Sequence, residues 1–116
     1  MISVASAAHI LLFSHFNQGY GAGPFDGDWN GSATAMIGQC KPALVTLTVV
    51  GRVVTGRATF ERGAQEIRGT VWESGTFGAT IGFQPVTGRF ANDMFEGSFD
   101  GFGCAWKMTL RLKKLP

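Results

Sequence analysis

Charge is scarce in this chain of 116 residues: only 16% are Asp, Glu, Lys or Arg, against about 25% in an average soluble domain. The net charge is +2 and the only basic cluster is Lys107, Arg111, Lys113 and Lys114. That footprint is too thin for a nucleic-acid binder and reads as a solvated strand face. Histidine is scarcer still. His9 and His15 have no cysteine or carboxylate cluster beside them, so no metal site is predicted. Asp26 with Asp28, or Asp93 with Glu96, offers too few oxygen ligands for a calcium loop. The sequence has no CxxC motif, no nucleophile elbow, no phosphate loop and no Ser/His/Asp arrangement. These absences leave catalysis without a candidate residue, so neither an enzyme nor a cofactor is expected.

What the chain does have is glycine, phenylalanine, valine and threonine. Its 17 glycines are spread among apolar residues rather than clustered, which marks many short strands and tight turns rather than low complexity. The length suits one hydrophobic core.

From Phe25 onward the apolar period is two. Cys104, Trp106, Met108, Leu110 and Leu112 share one face, against Lys107, Thr109, Arg111 and Lys113. The same alternation places Trp29, Gly31, Ala33, Ala35 and Ile37 inward, then Val45, Leu47 and Val49, then Val54, Gly56, Ala58 and Phe60. Ile67, Gly69 and Val71 follow, with Phe77, Ala79, Ile81 and Phe83, then Val86, Gly88 and Phe90, and finally Phe95, Gly97 and Phe99. Turn residues separate these runs at Lys41-Pro42, Gly51-Arg52, Arg62-Gly63, Ser74-Gly75, Asn92-Asp93 and Gly101-Phe102-Gly103. The join near Gln84-Pro85 has the weakest signal. Connections this short allow only hairpins. The expected fold is therefore all-β: an antiparallel up-and-down barrel of about eight strands. Strand glycines recur at Gly56, Gly69, Gly78, Gly88 and Gly97, as expected where a sheet bends into a barrel. The large inward residues Trp29, Phe60, Phe77, Phe83, Phe90, Phe95, Phe99 and Trp106 alternate with glycine and alanine, which predicts a filled interior.

Cys40 ends the predicted first strand and Cys104 begins the last. Closure of the meander makes those strands neighbours, so a disulfide is expected, with a chain-entropy value of roughly 4 kcal/mol. A disulfide in turn points to export, periplasmic or extracellular.

Residues 1–24 stand apart as an apolar segment followed by a glycine-rich linker, Gly19-Tyr20-Gly21-Ala22-Gly23-Pro24, with a single barrel domain over 25–116. The apolar stretch to Phe16 is too short and too interrupted for a membrane span of about 20 residues. It lacks the basic start of a signal peptide, and its small residues Ala5-Ser6-Ala7 precede the apolar run instead of following it. Its spacing fits a helix face or a strand equally. Ile10, Leu12, Phe13 and Phe16 are expected to pack on another chain or on the open end of the barrel, and deletion of residues 1–22 to leave a folded barrel with altered association.

Gly27-Asp28-Trp29 resembles the Gly-x-Trp stretch on the first strand of lipocalin- and avidin-like barrels, the calycin-type fold. The resemblance implies an up-and-down barrel and a basic residue of the last strand, here Arg111, packed across Trp29. The polar ligand-binding residues of avidins have no counterpart. Taken together, the sequence predicts a noncatalytic structural or binding module of an exported protein or envelope assembly, acting through its outer surface. Trp72 and Met36 fall on the polar side, and Trp72 is a candidate anchor for a protein partner or for self-association. A carrier of an apolar small molecule and a proteinaceous inhibitor of an extracellular hydrolase are the alternatives.

Overall fold

The computed structural model describes residues 23–113. They form eight antiparallel strands: β1 Gly27–Ile37, β2 Ala43–Val50, β3 Val53–Phe60, β4 Gly63–Val71, β5 Thr76–Ile81, β6 Gln84–Ala91, β7 Met94–Gly101 and β8 Cys104–Leu112. Each strand pairs with the next in sequence, and β8 pairs back onto β1, so the sheet closes as an up-and-down barrel. This closed eight-stranded antiparallel barrel is consistent with a calycin-type fold.

Period-two alternation decides what lies inside. Trp29 of β1, Val45, Leu47 and Val49 of β2, Ile67 of β4, Phe77 of β5, Phe90 of β6, Phe95 and Phe99 of β7, and Trp106, Met108 and Leu110 of β8 are all buried in one core. Among the described residues no polar or charged side chain is buried. The inward glycines make this packing possible. A β-carbon at Gly56 would collide with the Thr46 carbonyl oxygen of the paired strand. Gly88 and Gly97 sit opposite each other, and a β-carbon at either would press on the Phe95 ring, 2.7 and 2.8 Å away. Glycine at these points lets strands approach closely and gives large rings room, as the bending of a small barrel requires.

Several expected placements are corrected. Ile37 is 73% exposed. The β1–β8 register shifts between Ala35 and Ile37, and this bulge turns the last residue of β1 outward. Phe83 is 98% exposed, because β5 ends at Ile81 and Gly82-Phe83 form the turn into β6. Gln84 and Pro85 accordingly belong to β6 and not to the join. Phe60, at the end of β3, is half-buried and packs against the core from its edge. Cys40 lies beyond β1, in the connection to β2. Arg111 is exposed and pairs with Asn30, so it lies on the outer face and cannot cross Trp29, which points inward. Trp29 is covered instead by Phe90, whose ring meets it edge-on at 4.8 Å.

Candidate functional site

The two ends of the barrel are built differently. At one end the turn 23–26 folds over the opening. Asp26 accepts hydrogen bonds from the Gly51 and Gly23 backbone N–H groups at 2.7 and 3.1 Å. The Trp29 indole donates to the Phe25 carbonyl at 2.9 Å, and the Phe25 ring rests on Phe90 with centroids 5.4 Å apart. Phe25 therefore plugs this end.

At the other end the chain leaves a cavity of about 570 Å³, open to solvent. Its walls come from three connections and their borders: Gln39, Cys40 and Lys41 between β1 and β2, Glu61 and Arg62 between β3 and β4 with Gly63 at the start of β4, and Phe102 and Gly103 between β7 and β8. Phe60 and Trp106 form the floor, and Gln65 of β4 adds an amide. The Cys40–Cys104 disulfide, with Cα atoms 6.4 Å apart, ties the first wall to the start of β8. The Cys40 sulfur also lies 3.6 Å from the Phe102 carbonyl oxygen; a bridged sulfur carries no proton, so this is a packing contact.

The floor is rigid. Trp106 stacks on Phe99 at 5.6 Å with the rings nearly parallel, and Phe60 meets Trp106 edge-on at 5.2 Å. The Trp106 indole N–H donates to the Gly101 carbonyl at 3.0 Å, so the floor presents no unsatisfied donor. On the rim Lys41 and Glu61 form an ion pair of 3.1 Å between exposed side chains. Such pairs contribute at most about 1 kcal/mol. Arg62 makes no ion pair among the described residues.

Elsewhere on the wall, the Arg68 guanidinium hydrogen-bonds Glu66 at 2.8 Å and holds its carboxyl below the usual carboxylate range. The sign follows from linkage: a lowered carboxyl favours the folded chain above the carboxylate range and stops doing so as acid protonates it. Both groups are exposed, so the contribution is small.

Among the residues singled out in the sequence, Cys40, Cys104, Phe60, Phe99 and Trp106 meet at the open end. Trp29, Phe77 and Phe95 meet around Phe90 nearer the plugged end. Trp72 is 51% exposed and follows β4 at the plugged end. Ile10, Leu12, Phe13, Phe16, His9 and His15 lie outside the described residues. Among the described residues no group of three His, Cys, Asp or Glu could hold a metal ion. No helix among them is long and apolar enough to cross a membrane.

Sequence reasoning missed Gln65 and Gln84. Both share the inward parity of Ile67 and Val86 and are half-buried near the open end, so the interior does carry polar groups at its edge. Extending each apolar face by one position would have found them. No protein-family model matches this chain, and no curated protein or solved structure matches it significantly.

Proposed function

We propose that the chain is a noncatalytic binding module of an exported protein, working through side chains it displays outside rather than through a molecule carried within. The contrast between the two faces of the wall carries this reading. The inside is filled by apolar side chains with no buried polar group among the described residues, and an orienting polar group is what a carried ligand needs. Large apolar side chains stand outside, most of them at the open end: Phe83 is 98% exposed, Ile37 73%, Leu44 70% and Met36 65%. Burying such side chains against a partner is favourable. The outward faces between them carry Asn30, Thr46, Thr48, Thr55, Arg57, Glu66 and Arg68, where a transmembrane barrel would carry its apolar band. This supports a wall that faces water. The disulfide favours an oxidising, exported setting.

The test compares the immobilised wild-type chain with an Ile37→Ser/Leu44→Ser/Phe83→Ser variant in extract of the native envelope. These side chains are exposed, so each change should shift stability by under about 0.5 kcal/mol. The expected result is a partner retained by the wild type and lost by the variant. Equal retention by both, or an apolar molecule released when the wild type is unfolded, would overturn the reading.

A further inference from the structure

We propose that the open-end cavity binds carbohydrate, with Phe102 as the platform for a sugar ring; this goes beyond the apolar contact surface and does not depend on it. The starting observation is the backbone of Phe102. Five hairpin connections are two-residue turns, at 51–52, 61–62, 82–83, 92–93 and 102–103. All but the Glu61-Arg62 turn open on a left-handed residue: Gly51, Gly82, Asn92 and Phe102, at φ of 65°, 59°, 55° and 55°. Glycine and asparagine adopt this left-handed conformation readily, whereas a bulky side chain does so at a cost. Phe102 is also 44% exposed. Turn geometry and solvation both disfavour phenylalanine here, and a residue held against local preference at the edge of a cavity points to function.

The surroundings define the ligand. The Phe102 ring rests against Phe60, with centroids 4.7 Å apart, which fixes its orientation while much of the residue stays open at the cavity wall. Gln39 and Gln65 bring amides that both donate and accept hydrogen bonds, matching hydroxyl groups that do the same. The Lys41–Glu61 pair cancels its own charge, leaving Arg62 as a further donor. Below Phe60 and Trp106 the core is packed, so a long apolar tail has no space to enter. A ring with a C–H face for the aromatic π-cloud and hydroxyls on its edge uses both kinds of lining. A volume of about 570 Å³ accommodates a short stretch of glycan.

The experiment titrates the full chain with maltohexaose, cellohexaose and chitohexaose, with decanoate as the apolar competitor, and reads side-chain amide NMR signals of Gln39 and Gln65. One of the sugars should give saturable shifts. Phe102→Asn, which suits the turn, should weaken that binding at least tenfold while the melting temperature stays equal or rises, and Phe102→Tyr should retain binding. Three outcomes would overturn the proposal: no shift with any of the sugars, preferential binding of decanoate, or a lower melting temperature for Phe102→Asn, which would make the ring a cover for the core. The Ile37→Ser/Leu44→Ser/Phe83→Ser variant leaves the cavity intact. Silent sugar titrations beside a partner lost by that variant would thus reject the glycan site alone, and the converse would reject the protein-contact surface alone.

Discussion

Alanine in place of Trp106 is expected to lower the unfolding free energy by about 3–5 kcal/mol, the range for truncating a large buried aromatic. Trp106 is only 3% exposed. It stacks on Phe99, receives the edge of Phe60 and donates to the Gly101 carbonyl. The substitution therefore removes buried area, opens a void that rigid neighbours cannot fill and leaves a carbonyl without its partner. Lys107, the next residue, points outward, and Lys107→Ala should change stability by under about 0.5 kcal/mol. Chemical denaturation of both variants measures the difference. Comparable losses would mean that β8 sits one residue out of register, since a single-residue slip exchanges the two faces.

Removing the disulfide, by reduction or as Cys40→Ala/Cys104→Ala, should cost about 2–5 kcal/mol. The bridge spans 64 positions in sequence. Its loss restores to the unfolded chain the freedom of a long loop and unties Gln39 and Lys41 from the start of β8. Protein unfolded without reductant should show no alkylatable thiol by mass spectrometry, and reduction should lower the melting temperature. Two alkylatable thiols in oxidised material would refute the pairing.

The barrel was legible because both its faces alternate cleanly. In β8 every second residue from Cys104 to Leu110 is buried, and the β2 run from Ala43 to Val50 alternates without a break. Where the reading failed, a local event had interrupted the period. The bulge after Ala35 turned Ile37 outward, and a two-residue turn put Phe83 at a tip where parity with Ile81 placed it inside. Arg111 was misplaced for a different reason: the resemblance to lipocalin-like barrels supplied its role, and its own odd–even position already put it opposite Leu110 and Leu112. The open end was the hardest part to read. Its lining is assembled from three connections far apart in sequence, and no period links them. In its loops the visible signals were Cys40 and Phe102, the latter a phenylalanine where a tight turn prefers glycine or asparagine.

Barrel closure also sets an order of events. Seven of the eight ladders join strands consecutive in sequence and need only a short turn to form. The eighth pairs Gly31 with Leu110 and Ala33 with Met108, so it waits for β8 to be made and carries the entropy of closing nearly the whole sheet. Until then β1 and β7 each present an unpaired edge able to recruit another chain. A polypeptide cut short before Cys104 would keep both edges open and aggregate, whereas the finished chain seals them against each other.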